Sequence, residues 1–97
     1  MDIPSFEAAL TRDGYRDVRR RSIDRGVNTS PHRHPFDTRL LVLEGELTVI
    51  CDGRETTCRA GDTVEIERGV EHSERYGPGR VALIAGLKHP AGPDAAA

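Results

Sequence analysis

The feature that most constrains the fold is the punctuation of the chain after Tyr15. No run beyond that point carries a helical period. Seven short alternating or apolar runs follow instead, at 17–23, 38–43, 46–51, 54–59, 63–67, 71–76 and 80–87. Breakers separate them: the Gly26–Pro31 stretch, Glu44-Gly45, Asp52-Gly53, Gly61-Asp62, Gly69 and Gly77-Pro78-Gly79. Short runs at this spacing with turn residues between them predict an all-β sandwich or barrel. With 97 residues, curling a sheet round to cover its own inner face is the economical way to make a core. One helix is expected ahead of the strands, over 4–13 ("PSFEAALTRD"), capped by Ser5 and ended by Gly14. The chain reads as a single domain over 1–97, with a core at about 15–88 and a frayed tail from His89 onward, "HPAGPDAAA".

Composition narrows what such a fold can do. Aromatics make up 4% and Trp is absent, so Leu, Val, Ile and Ala must fill the core. A net charge of −2 argues against nucleic acid as a partner, because that binding is driven by cationic surface. Arg19-Arg20-Arg21 is the one basic cluster and reads as the solvated face of a strand. No basic start with an apolar stretch opens the chain, and no run approaches the roughly 20 apolar residues of a membrane span. A cytoplasmic protein without membrane contact is the expectation. The two cysteines agree with it. A hairpin turning at Asp52-Gly53 sets Cys51 against Arg54 and Cys58 against Leu47. That leaves the cysteines roughly 13 Å apart along one face, beyond disulfide reach, so both are expected as free thiols.

The chemistry is concentrated in the histidines. In an extended strand, residues two apart share a face, so His32 and His34 project together, about 7 Å apart, and can converge on one ion. His72, in "VEHSERY", adds a third candidate ligand from a second strand, with Glu74 and Tyr76 on its face. Three ligands from two strands suit a divalent transition metal with open coordination positions, and imidazole accepts Fe, Ni, Zn, Mn or Cu. His89, beside Pro90, reads as an ordinary surface histidine. No Cys-x-x-Cys pair suggests a zinc finger, and no nucleophile-elbow pattern supports a hydrolase built on Ser73 and Asp37.

These residues lie in two stretches that resemble a known family. "GVNTSPHRHPFDTRLLVLEG", Gly26 to Gly45, resembles the first cupin motif: Gly26, His32, His34 and Gly45 match, and Thr38 stands where the motif has its glutamate. "GDTVEIERGVEHSERY", Gly61 to Tyr76, resembles the second: Gly61, Gly69 and His72 match, while Glu67 and Tyr76 replace its proline and asparagine. Fifteen residues separate Gly45 from Gly61, similar to the short intermotif loop of small bacterial cupins. The resemblance implies a small jelly-roll β-barrel with His32, His34 and His72 as metal ligands and the glutamate missing. Parity turns Asp37 away from that site and leaves Thr38 facing it, while Glu74 shares the parity of His72 and can reach the metal.

Losing a carboxylate leaves more of a divalent ion's charge uncancelled, which favours an anionic ligand. The site then resembles the three-histidine centres of cupin thiol dioxygenases. Same-face positions predict a mostly apolar ligand pocket of Thr38, Leu40, Val42, Leu47, Val49, Cys51, Thr56, Cys58 and Tyr76. The expected function is a metal-binding small cupin that holds a small anionic molecule with limited turnover. The alternative is a metal-dependent dioxygenase or isomerase in which Tyr76 or Glu74 moves protons. Leu41 and Leu43 point away from the pocket and suggest an exposed aliphatic face through which the chain forms a homodimer.

Overall fold

The computed structural model describes residues 1–24 and 27–90. Gly26 of the first motif and the tail beyond Pro90 lie outside the described residues. Helix α1 (Ile3–Arg12) leads into eight strands: β1 (Asp17–Ile23), β2 (Val27–Asn28), β3 (Asp37–Glu44), β4 (Glu46–Cys51), β5 (Arg54–Arg59), β6 (Thr63–Ile66), β7 (Ser73–Tyr76) and β8 (Val81–Lys88). They form two four-stranded sheets, ordered β1-β8-β3-β6 and β2-β7-β4-β5, with every pairing antiparallel. This is the all-β arrangement expected from the strand spacing, in the jelly-roll form that the cupin resemblance implied. Strand β2 is new: it falls inside the stretch read as a breaker, and it exists only because Val27 and Asn28 pair with Tyr76 and Arg75 of β7. A two-residue strand has no alternation to detect, so its pairing had to come from the partner.

Residues of one parity from both sheets meet in the main core. It contains Leu40, Val42, Leu47, Val49, Cys58, Ile66, Tyr76, Val81, Leu83, Ala85 and Leu87. The hairpin between β4 and β5 turns at Asp52 (φ 52°) and Gly53 (φ 76°), as a type I′ turn requires. Its register sets Leu47 against Cys58 and Cys51 against Arg54, and both cysteines are free. Gly45, in the tight connection between β3 and β4, has φ 80° and sits against the Arg80 carbonyl. A side chain there would need an unfavourable backbone and would overlap that carbonyl.

The outer face of β3 and β8 corrects one expectation. Leu41 is 1% exposed and belongs to a second apolar cluster with Phe6, Leu10, Tyr15 and Ile84, against which Leu43 also packs. Helix α1 therefore covers the aliphatic face that had suggested a dimer surface. Phe6 and Leu10 are buried by it, each stabilising the lid by roughly 1.5–3 kcal/mol. Gly86 makes room, since a Cβ on it would lie 2.5 Å from Leu10 Cδ2. Arg39 ties the lid down, donating to Asp13 at 2.8 Å and lying 4.5 Å from the Tyr15 ring centre. The helix cap also differs from expectation. Asp2, not Ser5, is the N-cap and accepts from the Ser5 N–H at 2.8 Å, because Pro4 already occupies the first turn. Among the described residues, no helix is long and apolar enough to cross a membrane.

Candidate metal centre

His32 and His34 lie on the extended segment just before β3, and His72 lies just before β7. A two-way backbone bridge joins them: the N–H of each of His32 and His72 donates to the other's carbonyl at 2.9 Å. The Gly69 N–H donates to His34 O at 2.8 Å and holds the next turn in place. The three rings consequently meet, with centroids 4.5 Å (His32–His72), 4.8 Å (His32–His34) and 5.1 Å (His34–His72) apart. One donor atom from each histidine and one from Glu74 all fall within 4.8 Å of one another. A group of three imidazoles and one carboxylate at this spacing could bind a metal.

Two hydrogen bonds set how those rings face the centre. His32 Nδ1 lies 2.7 Å from the Ser30 carbonyl, and His72 Nδ1 lies 3.0 Å from the Val70 carbonyl. A carbonyl only accepts, so Nδ1 carries a proton in both, and each ring turns its Nε2 to the centre, where the neutral form presents a lone pair. What those lone pairs meet is a carboxylate. Glu74 Oε1 lies 3.2 Å from His72 Nε2 and 3.5 Å from His32 Nε2. His72 is 2% exposed, and its Nε2 has no hydrogen-bond partner. Acceptors facing one another out of water repel, unless a cation or a proton lies between them. The donor set and its orientation therefore fit a metal ion.

The rest of the site holds this group in shape. Glu74 Oε2 accepts a short hydrogen bond from the Tyr76 hydroxyl, and Thr29 Oγ1 accepts from the Glu74 N–H at 2.9 Å. Tyr76 is 5% exposed, and burial followed by the Glu74 bond pushes its hydroxyl pKa up, so it stays protonated as a donor. In the protein without metal, burial is the main cause lowering the His34 pKa, followed by repulsion from His32 and His72. Thr38 is buried and lies on the inner face. Asp37 points the other way, accepting from the Arg68 N–H at 2.8 Å. His89 pairs with Asp17 at 3.0 Å, away from the centre.

A cavity of about 730 Å³ opens beside the histidines, within the size range of small-molecule sites. His34, Thr38, Leu40, Glu74 and Tyr76 line it, as do Phe36, Ile66, Leu83, Ala85, Leu87 and the arginines of β1. The pocket read from parity divides differently. Thr38, Leu40 and Tyr76 line this cavity, whereas Val42, Leu47 and Cys58 are packed in the core. Val49, Cys51 and Thr56 line a separate cavity of about 450 Å³ with Val64, Ile66 and Val70. Parity assigns a face but not a depth, and the curl of the barrel decides which inner residues touch space and which touch one another. Arg19 and Arg21 are the residues that sequence reasoning missed. They are exposed, as a solvated face requires, but with Arg20 they also line the open side of the cavity.

A jelly roll with histidines converging just before two inner strands is the architecture of a cupin barrel with a possible metal site. The family model described as the cupin domain, Cupin_2, matches residues 20–83, and the chain belongs to that family. Solved structures agree on the fold. A conserved protein of unknown function from Streptococcus pyogenes is 20% identical with TM-score 0.67, over 75% of this chain and 63% of that one. An RmlC-like cupin from Shewanella frigidimarina is 25% identical with TM-score 0.63, over 75% of this chain and 67% of that one. A cupin 2 conserved barrel domain protein from Salinispora arenicola is 21% identical with TM-score 0.65, over 76% and 63%. The chain thus spans about two thirds of the length of these relatives. No curated protein matches it.

Proposed function

We propose that the chain is a metal-binding cupin that holds a small anionic molecule in its barrel. His32, His34, His72 and Glu74 would ligate one divalent transition metal: Fe, Ni, Zn, Mn or Cu. One observation carries the reading. The Nε2 atoms of His32 and His72 converge on Glu74 Oε1, at 3.5 and 3.2 Å, in a place where His72 is buried. Three neutral imidazoles and one carboxylate leave a divalent ion with a net positive charge, so an anion from solution completes the site electrically. The metal would supply Lewis acidity toward that ligand. Thr38 offers a hydroxyl at the cavity wall, and Tyr76 fixes the carboxylate rather than acting as a base. No feature of the cavity singles out a bond to be broken, so binding describes it better than turnover.

The test is elemental analysis of protein purified without a histidine tag. Near-stoichiometric transition metal is expected, lost in His72→Leu and sharply reduced in Glu74→Gln. Protein that is metal-free and also fails to take up added metal would overturn the proposal.

A further inference from the structure

The face that β1 turns to the cavity is set by its pairing with β8. Asp17, Arg19, Arg21 and Ile23 stand directly opposite Leu87, Ala85, Leu83 and Val81. All four of those β8 residues belong to the inner core, and residues directly opposite in an antiparallel pair share a face. Arg19 and Arg21 therefore extend from the inner face of the barrel at its open edge, while Arg20, opposite Ile84, lies on the helix side. All three arginines are exposed and line the same cavity as His34 and Glu74, and the strand pairing places Arg19 and Arg21 on its inner side. They are not equivalent. Arg19 is held by Asp17 through two bonds, at 2.9 and 3.2 Å. Arg21 has no carboxylate partner among the described residues, and it lines the cavity together with Tyr76.

We propose that the ligand is a dianion with its two charges apart: one oxygen group sits at the His/Glu centre and a distal carboxylate is clasped by Arg21, with Arg19 beside it. The inference rests on the metal-centre reading for the first contact and on β1 geometry alone for the second. A guanidinium fork matches a carboxylate through two parallel hydrogen bonds, which a lysine in the same place could not offer. Glu74 is the only carboxylate among the described residues lining the cavity, and its oxygens already face the histidines and Tyr76. The cationic surplus at the β1 wall is thus left for a ligand. A different role for these arginines is to block edge-to-edge pairing, since inward charge on an edge strand does that too.

The probes are zinc, lactate and malate; the last two carry the same 2-hydroxycarboxylate head and differ in the second carboxylate. Zinc uptake is measured first, then each acid is titrated calorimetrically into the zinc-loaded chain. Malate is expected to bind at least about tenfold tighter than lactate, and Arg21→Met should bring that ratio close to unity. Equal affinities in the parent chain overturn the proposal. An unchanged ratio in Arg21→Met, with the variant self-associating on a sizing column, overturns it in favour of edge protection. If zinc is not taken up, the metal reading fails alone. The arginine contact is then read on the metal-free chain by NMR, where malate should shift the Arg21 Nε–H signal saturably, and an unmoved signal overturns it.

Discussion

Replacing His72 with leucine separates a metal ligand from a merely buried histidine. The side chain is 2% exposed; Nδ1 is bonded to the Val70 carbonyl and Nε2 faces Glu74 without a partner. Leucine fills similar space, so no large cavity opens. Losing the Val70 bond costs about 1 kcal/mol, while removing the unpartnered Nε2 returns about 1–3 kcal/mol. The metal-free variant should therefore be as stable as its parent or up to about 2 kcal/mol more stable. The metal response is the contrast. Ion at a hundred times its dissociation constant stabilises the folded state by about 2.7 kcal/mol. For a domain of this size each kcal/mol moves Tm by about 4–8 °C, so saturating zinc should raise the parent's Tm by about 10–20 °C. His72→Leu should show almost none of that rise. Differential scanning fluorimetry with and without chelator reads both numbers. A rise that survives in the variant would refute the assignment of His72, and a metal-free variant several kcal/mol less stable would refute the claim that its Nε2 is uncompensated.

Other outcomes follow from the same geometry. Glu74→Ala should weaken metal binding by at least about tenfold, and adding Thr38→Glu should recover part of it by restoring a carboxylate where the family motif has one; competition with a chromogenic chelator measures both, and no recovery would mean that Thr38 does not face the ion. Gly45→Ala should cost at least about 2 kcal/mol in urea unfolding, because a Cβ must adopt the φ of 80° and overlap the Arg80 carbonyl. The metal-free chain should lose stability as pH falls below 6.5, the ordinary value for a histidine such as His34. With its folded pKa lowered, the unfolded chain binds that proton first, so acid favours unfolding. Urea midpoints at about pH 7.5 and about pH 5.5 check the sign, and a higher midpoint in acid would contradict it.

How much of this was legible in the chain follows from what a strand pattern encodes. Alternation and turn residues are local, so the all-β class, the Asp52-Gly53 hairpin and the cysteine register could be read directly, and so could the opposite facing of Asp37 and Thr38, while the jelly roll came from the family resemblance. The spacing of His32 and His34 put two imidazoles on one side of an extended segment in the same way. What lies across a strand is not local. Leu41 and Leu43 look exposed until helix α1 is known to lie over them, and Gly86 reveals its role only opposite Leu10. Arg19 and Arg21 carry no sign of their direction in "DVRRRSI", because only Ile23 on that parity is apolar. Their inward face exists because β1 pairs with β8, about sixty residues away along the chain. Glu74 is the same kind of case: its parity was visible, but its contact with His32 depends on the backbone bridge that closes the barrel there. Period two determines which face a side chain takes, and only the closure of the barrel decides what that face meets.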